Sequence, residues 1–314
     1  MDANLLVKVA KLYYEEGLTQ IEIAQKMRLS RPKVSRLLTE ARNEGVVQIT
    51  VKSMPESLED LERELENRLG LKDSLVVRVA NPDDPEEVSK KLGEFAAQYF
   101  DRVVQEGDLV GFSWGRTISA MAASIQPVKM RKMHVVQMVG GLGDPLSNAH
   151  AADIARRVAQ KVNANLLTVM PAPGIVDSVD MCTALRNNRQ INYALELSAK
   201  VDIAFVGIGS FRKEALLMRN EEIITWKEVE PLIERGAVGD LGLHFFDING
   251  KPLNSEIDQR IIGVDLEIYR GLDRVVAVAG GTQKYDAILG AVRGKYTNVL
   301  ITDERTARRL LQDS

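Results

Sequence analysis

Residues 18–38, LTQIEIAQKMRLSRPKVSRLL, contain the pattern that decides the fold of the amino-terminal segment. Apolar residues recur at helical spacing on either side of a short break at residues 28–29. Thr19 and Ser30 stand where the two runs begin and suit the N-cap position, while Pro32 falls in a first helical turn, where its missing N–H costs little. The stretch therefore predicts two short helices joined by a tight turn.

Two further elements flank this stretch. Before it, apolar residues at positions 5, 6, 9, 12 and 13 predict a helix that ends near Gly17. After it, Val47, Ile49 and Val51 alternate with polar residues and predict a strand. The four elements together predict an all-α winged helix-turn-helix domain over residues 1–53, which ends where Lys52-Ser53-Met54-Pro55 breaks the pattern.

The polar face of the third predicted helix carries a functional signal. Arg31, Lys33 and Arg36 lie in its first two turns, the end that recognition helices present to the major groove. Residues 1–52 contain nine Lys/Arg and six Asp/Glu, a net charge of +3 in a chain whose net charge is −3. A solvated helix face would explain the charge alone, but charge and helix pattern together predict operator DNA as a partner. The predicted DNA contacts are Thr19, Gln20, Ser30, Arg31, Pro32, Lys33, Ser35 and Arg36.

The composition excludes several classes of protein. With the single cysteine Cys182, the chain can form neither an internal disulfide nor a cysteine-based metal site, and no metal or cofactor is expected. No apolar run approaches the roughly 18 residues that a membrane-spanning helix needs. The first residues lack the basic start of a signal peptide. We therefore expect a cytoplasmic globular protein that has no contact with a membrane.

Residues 54–72 are predicted to be a linker followed by a short oligomerisation helix. Leu58, Leu61, Leu65 and Leu69 form one apolar stripe among dense charges, at spacings of three and four residues. Two alternatives remain open, since this stripe can pack against a second copy of the chain or against its own chain. Because operators are commonly read by symmetric dimers, a homo-oligomer, either a dimer or a tetramer, is expected.

Over residues 73–314, short apolar runs alternate with helical stretches. The predicted strands are residues 75–79, 108–112, 134–138, 166–170, 203–208, 275–279 and 299–302. Amphipathic segments, such as residues 86–104, 149–163 and 283–293, separate most of them. This alternation predicts an α/β effector domain with a largely parallel sheet that is covered by helices on both faces.

Glycine and small polar residues follow four of these strands, at the sheet edge where such folds bind ligands. The four loops are residues 113–117, 140–143, 207–210 and 280–284, and Asp240 lies in a glycine-rich segment that is expected to be flexible. Singly, each loop is most simply a turn, and Lys284 is most simply a solvated side chain. Together they suit an anionic, hydroxylated ligand, whose phosphate would take N–H groups and a cation. The candidate ligand contacts are Ser113, Gly115, Arg116, Thr117, Gly140, Gly141, Asp240 and Lys284.

Seven motifs in order along nearly the whole chain resemble those of the SorC/DeoR family of sugar-responsive bacterial transcriptional regulators. They are LTQIEIAQKMRLSRPKVSRLL, GFSWGRT, PAPG, IAFVGIGS, GAVGDLGLHFFDINGKPL, AVAGGTQKYDAILGAVRG and VLITDERTA. The resemblance implies a winged helix-turn-helix followed by a domain similar to sugar-phosphate isomerases and deaminases. It also implies a regulator, expected to be a repressor, whose operator affinity changes when a phosphorylated sugar binds near Asp240 and Lys284.

One position departs from the pattern of the family. In the branch that senses deoxyribose phosphate, the resemblance implies a lysine just before the pair Gly140-Gly141 that bonds covalently to the sugar. Val139 stands at that place in this chain. A Schiff base at this position is therefore not expected, and deoxyribose phosphate is a less attractive effector.

An enzyme is the main alternative, because the second domain resembles isomerases and deaminases. His134, His150 and His244 show no motif spacing with a carboxylate, although His150 is close enough to the loop after Gly140 to contact a ligand. Asp177 and Asp180 are either a carboxylate pair or part of a solvated loop. A dinucleotide-binding module is a third alternative, but no G-x-G-x-x-G opens the first strand–helix unit. Because fold similarity alone does not transfer activity, we predict a regulator that is not an enzyme.

Overall fold

The computed structural model describes residues 3–49, 57–128, 132–141, 150–211 and 224–313. It divides the chain into two units, Met1–Ser57 and Leu58–Ser314. The boundary predicted at residue 53 lies four residues before this division, and the helix predicted within residues 54–72 belongs to the second unit. In the described ranges, no helix is both long enough and apolar enough to cross a membrane.

The described residues of the first unit form three helices, α1 (Ala3–Tyr14), α2 (Gln20–Met27) and α3 (Arg31–Asn43). Thr19 starts α2 in a capping box with Glu22, and the Ser30 hydroxyl caps α3 by accepting from the N–H of Lys33. Arg28 ends α2 in the left-handed conformation, which produces the tight turn. The three helices share one core, made by Leu6, Val9, Ala10, Leu12, Ile23, Ala24, Val34, Leu37, Leu38 and Ala41.

The strand predicted after α3 is not formed at Val47 and Ile49, which lie outside any strand or helix. The N–H of Val47 donates to the carbonyl of Ala41 (3.0 Å) in the last turns of α3, so this part of the chain serves to end the helix. Val51, the end of the predicted strand, lies outside the described residues. A wing on this unit therefore stays a prediction.

The second unit contains a seven-stranded sheet in which every neighbouring pair of strands is parallel, in the order β1-β9-β8-β5-β2-β3-β4. All seven predicted strands are confirmed to within two residues at either end. A separate antiparallel hairpin, β6–β7, was not predicted. The strands are β1 (Asp73–Val77), β2 (Leu109–Phe112), β3 (His134–Gln137), β4 (Leu166–Thr168), β5 (Ile203–Val206), β6 (Ala237–Leu241), β7 (His244–Asp247), β8 (Arg274–Val278) and β9 (Val299–Asp303).

Helices cover both faces of the sheet, as the apolar runs predicted. Along β5, Phe205 packs into one core and its neighbours Ala204 and Val206 pack into the other, because side chains alternate between the faces. Two 3₁₀ turns, Asp258–Arg260 and Thr282–Lys284, lie in the connections. The helices are α4 (Glu59–Leu69), α5 (Pro85–Val103), α6 (Arg116–Ser124), α7 (Ala151–Lys161), α8 (Val179–Arg186), α9 (Arg189–Ser198), α10 (Trp226–Glu234), α11 (Leu266–Gly271), α12 (Tyr285–Arg293) and α13 (Glu304–Gln312).

Helix α4 packs against its own chain. Its Leu61 and Leu65 are buried in the core beneath the sheet. The side chain of Glu62 accepts from the N–H of Val76 (2.7 Å), so α4 also covers the free edge of β1. Unpaired sheet edges invite pairing with other chains, and α4 removes that risk at β1. Of the two alternatives for this apolar stripe, the structure shows packing against its own chain. Self-association through α4 stays a prediction.

The direction of the chain reverses between β5 and β2, which are neighbours in the sheet. From β2 the chain continues to β3 and β4 on one side, whereas from β5 it continues to β8 and β9 on the other. Loops that leave neighbouring strands in opposite directions leave a crevice at the carboxyl ends of those strands, where ligands of open parallel sheets bind. The topology therefore places a candidate site beyond β2, β5 and β8.

Candidate functional site

A cavity of about 350 Å³ lies at this reversal of the sheet, within the size range of small-molecule sites. The structure brings three of the four predicted loops to its wall, those that follow β2, β5 and β8. Five of the eight candidate ligand contacts line it, namely Gly115, Arg116, Thr117, Asp240 and Lys284. The loops that carry Gly115 and Lys284 are nearly 170 residues apart in sequence. They line one cavity because β2 and β8 are separated in the sheet only by β5.

The loop after β2 presents the amino terminus of α6 to the cavity. Gly115 is the N-cap residue with a φ of 119°, and no side chain caps the helix. The first backbone N–H groups of α6 therefore have no capping side chain, and the helix dipole adds positive potential at the same place. This arrangement is well suited to an anionic group such as phosphate.

Ser113 lies behind the wall of the cavity instead of on it. Its buried hydroxyl accepts from the N–H of Gly207 (3.1 Å), which joins the loop after β2 to the loop after β5. Ser113 therefore joins two loops that line the cavity without itself lining it.

Asp240 is held rigidly, which corrects the expectation of a flexible segment. It lies in β6, and its backbone exchanges two hydrogen bonds with Gly209 of the loop after β5. Its side chain is only 4% exposed. Burial raises the pKa of Asp240 to about 6, against the opposing effects of the Leu243 N–H, Lys284 and His244. The N–H of Leu243 donates to only one of the two carboxylate oxygens, Oδ2, so the other can accept from a ligand hydroxyl.

Lys284 supplies a cation beside this carboxylate. It ends the 3₁₀ turn after β8, and its Nζ donates to the carbonyl of Ile208 (2.6 Å). Burial and the nearby charge of Arg116 lower the pKa of Lys284 to about 8, although Asp240 opposes the shift. Two cations, Lys284 and Arg116, thus lie close enough to repel each other, and an anion between them would relieve that repulsion.

One side of the cavity was missed by the sequence analysis. The loop after β1 and the first turn of α5 contribute Asp83, Asp84, Glu86 and Ser89 to the wall. Asp83 accepts from the hydroxyl of Thr282 (2.7 Å), which ties this loop to the one that carries Lys284. The loop after β1 contains no glycine, the residue that marks the four predicted loops. The signal that could have found it is its position after a strand of the same sheet.

Gly140 and Gly141 lie elsewhere, and neither is on the described wall of the cavity. The N–H of Gly141 donates to the carbonyl of Ala172 (2.8 Å). A Cβ on Gly140 would lie 2.4 Å from the carbonyl oxygen of Pro173, so close backbone packing explains this glycine. The rest of their loop, residues 142–149, lies outside the described residues, and an effector contact at this pair stays a prediction.

The three histidines and the one acidic pair considered for catalysis are not among the described residues that line the cavity. His134 bonds to the Thr168 hydroxyl (2.8 Å), and burial lowers the pKa of His134. His244 is buried and pairs with Asp258 (2.9 Å). Asp177 and Asp180 are exposed. Across the described ranges, no group of three His, Cys, Asp or Glu side chains could hold a metal ion.

The candidate DNA interface is the first turns of α3. Arg31, Lys33 and Arg36 are exposed, as are Pro32 and Ser35, and the three cations form no ion pair with any described residue. Thr19 is the N-cap that the sequence predicted, since its hydroxyl donates to Glu22 (2.8 Å) and accepts from the backbone in the capping box, and its DNA contact stays a prediction. The hydroxyl of Ser30 likewise serves as a cap. The cations of α3 are therefore the groups most available to phosphates and base edges.

A helix-turn-helix unit followed by an α/β unit with a cavity at the carboxyl ends of its strands is typical of ligand-responsive transcriptional regulators. Residues 53–312 match the family described as "Putative sugar-binding domain". The chain is 36% identical to a deoxyribonucleoside regulator of Bacillus subtilis (strain 168), over 99% of this chain and 98% of that protein. It is 33% identical to the transcriptional regulator LsrR of Klebsiella pneumoniae subsp. pneumoniae, over 99% of this chain and 93% of that protein.

A solved structure agrees over the whole length. The full-length sorbitol operon regulator SorC of Klebsiella pneumoniae has a TM-score of 0.73 and 28% identity, and the match covers 99% of both chains. The chain belongs to the SorC/DeoR family of sugar-responsive bacterial transcriptional regulators, as its motifs predicted. Its relatives are regulators of transcription, so the isomerase or deaminase alternative is not supported.

Proposed function

We propose that the first unit binds operator DNA through α3 and that the cavity of the second unit binds a phosphorylated sugar that controls operator affinity. The observation that carries the proposal is the convergence of an uncapped helix terminus, two cations and a buried carboxylate on one cavity. Groups that can bind an anion, together with a carboxylate that can accept from a hydroxyl, line one small site and match the two chemical parts of a sugar phosphate.

The phosphate would lie at the amino terminus of α6, between Arg116 and Lys284. There it would accept from backbone N–H groups and reduce the repulsion between the two cations. Asp240 would accept from a hydroxyl of the sugar. Val139 has an apolar side chain without a nucleophile, so it offers no group that could bond covalently to the effector, and it is fully buried where its backbone bridges to Gly263.

Operator binding would depend on Arg31, Lys33 and Arg36, together with Gln20 at the start of α2. Positive side chains at this end of a recognition helix provide both phosphate attraction and contacts to base edges. Repression is the expected outcome when the operator is occupied. One solved relative, a sugar-binding domain with a TM-score of 0.73 and 28% identity, comes from a transcriptional repressor of Vibrio fischeri.

The proposal is tested by separating the two activities. Because Trp114 lines the cavity, its fluorescence reports binding of sugar phosphates from a panel. Lys284→Ala should abolish that response and leave operator binding intact, whereas Arg36→Ala should do the reverse in a gel-shift assay. Lys200→Ala, an exposed lysine away from the cavity, and Arg42→Ala, at the far end of α3, are the matched controls. A wild-type protein that ignores both DNA and every sugar phosphate would refute the proposal.

We further propose that the protein is a homo-oligomer that associates through the surface around β4. The opposite edge of the sheet is covered by α4, whereas β4 ends the sheet and pairs only with β3 among the described strands. Five large apolar side chains are exposed on β4 or on α8 and α9, two helices that share a small core with Met170 just after β4, namely Leu166, Leu167, Val179, Met181 and Tyr193. A second copy would bury them and pair the free edge.

Light scattering after gel filtration tests this surface. Met181→Glu should shift the mass toward the monomer, while Lys200→Glu, an exposed position of the same unit, should not. An oligomer that is unchanged by Met181→Glu together with Leu166→Glu would contradict the assignment.

A further inference from the structure

The motif VLITDERTA has no role in the cavity described above, although it ends at the same edge of the sheet. Its Asp303 is the last residue of β9 and is only 1% exposed. The side chain is not on the wall of the cavity. Burying a carboxylate is costly unless partners compensate it, and Asp303 pairs with no cation among the described ion pairs. Other groups must therefore stabilise it.

The carboxylate of Asp303 joins two elements. Its Oδ1 accepts from the N–H of Thr306 (3.0 Å), which caps α13. Its Oδ2 accepts from the N–H of Gly281 (2.6 Å) and from the hydroxyl of Thr306 (2.6 Å). Three donors thus compensate the buried charge, and one of them belongs to the loop that carries Lys284.

The loop approaches Asp303 as closely as glycine allows. A Cβ on Gly280 would lie 2.5 Å from Oδ2 of Asp303, and Gly281 has a φ of 89°, which disfavours other residues. The N–H of Lys284 in turn donates to the carbonyl of Gly281 (3.0 Å). The position of the Lys284 backbone therefore depends on Gly281, and that of Gly281 depends on Asp303.

We propose that Asp303 is a positioning residue for the effector site, which holds the loop 280–284 so that Lys284 can reach the bound phosphate. Asp303 does not touch the effector, and its effect on binding acts through Gly281. This inference rests on the proposed function, because it assumes that the cavity binds a phosphate group.

Two substitutions separate the two contacts of the carboxylate. Asp303→Asn can still cap α13 through its amide oxygen, but its NH₂ group then faces the N–H of Gly281, so the loop loses its acceptor. Asp303→Ser also retains a capping oxygen and removes the acceptor for Gly281. Thr306→Val is the matched control, because it removes a donor to the same carboxylate oxygen and leaves the bond to Gly281 in place.

The full-length variants are titrated with inorganic phosphate, and binding is followed by Trp114 fluorescence. We expect the Kd for phosphate to rise at least tenfold in Asp303→Asn and Asp303→Ser, and to stay within twofold of the wild type in Thr306→Val. Operator affinity without phosphate should stay unchanged in all three variants, because the first unit is not altered. That combination would not arise from a loss of folding.

Three outcomes overturn the inference. Equal phosphate affinity in the Asp303 variants and the wild type would show that Gly281 does not need this acceptor. An equal loss in Thr306→Val would assign the effect to the capping of α13, and unfolding of both Asp303 variants would make Asp303 a residue of the core. A wild-type protein that binds neither phosphate nor any sugar phosphate would refute the proposed function itself.

Discussion

Replacement of Asp240 by Asn should stabilise the second unit at neutral pH while it weakens effector binding. Burial raises the pKa of Asp240 from the ordinary value of 3.8 to about 6. Because one pKa unit corresponds to about 1.4 kcal/mol, the ionised carboxylate costs the folded state about 3 kcal/mol above pH 6. Asn carries no charge and can still accept from the N–H of Leu243, so the variant recovers up to this amount. The variant also removes the carboxylate that pairs with the charge of Lys284, which costs stability. The net gain in the free energy of unfolding is therefore at most about 3 kcal/mol.

The sign of the pH dependence distinguishes this electrostatic effect from a simple change in packing. Below about pH 4 both side chains are neutral, so the two proteins should be equally stable. Between about pH 4 and 6 the wild type ionises at a cost, so the advantage of the variant should grow and then level off. A carboxylate with a raised pKa thus gives stability at acid pH that is lost as the pH rises through about 6.

Urea unfolding at a series of pH values measures this difference. Both tryptophans, Trp114 and Trp226, belong to the second unit, so their fluorescence follows its unfolding alone. Asp177→Asn, at an exposed carboxylate, is the control and should leave stability unchanged within about 0.5 kcal/mol. An advantage of Asp240→Asn that is the same at pH 4 and pH 7 would refute the reasoning, since it could not come from titration.

Three other predictions concern the cation of the cavity, the packing of α4 and the DNA-binding helix. The affinity for inorganic phosphate should fall as the pH rises through about 8, because Lys284 loses its charge there. Phosphate titrations at pH 7 and pH 9 measure this fall, which should be absent in Lys284→Arg. Leu65→Ala should lower the free energy of unfolding in urea by about 3 kcal/mol, because Leu65 is fully buried beneath the sheet. In gel shifts at several salt concentrations, Lys33→Ala should reduce the slope of log affinity against log salt concentration by about 1, as expected for the loss of one phosphate contact.

The strands could be predicted from the sequence because a parallel sheet buries both of its faces. Runs such as 275–279 are apolar throughout, and short apolar runs that alternate with amphipathic helices are typical of such a sheet. The hairpin β6–β7 was missed for the opposite reason. Gly236 and Gly239 suggested flexibility, whereas Gly239 is needed because a Cβ there would lie 2.4 Å from the Cβ of Ala287. Glycine marks both loose chain and tight packing, and the sequence does not distinguish them.

The candidate site was predicted in part, because strand order is a tertiary property. Loops after β2, β5 and β8 converge since those strands lie side by side, and only the fold shows that adjacency. The wall at Asp83 and Glu86 and the role of Asp303 depend on close approaches between segments distant in sequence. Close packing against Pro173 explains the glycine at Gly140, and an effector contact at this position stays a prediction.

The pairing of β1 with β9 affects how the protein is made. Asp73 lies opposite Val299, so the strand that opens the sheet stays incomplete until nearly the whole second unit has been synthesised. The first unit has a core of its own, built from helices that follow one another within about forty residues, and contacts at such short separation favour fast folding. During translation, the first unit, with its proposed DNA-binding helix, can therefore fold well before the second unit, with its proposed effector cavity. Each new chain then passes through a stage in which the first unit is folded while the second is still incomplete.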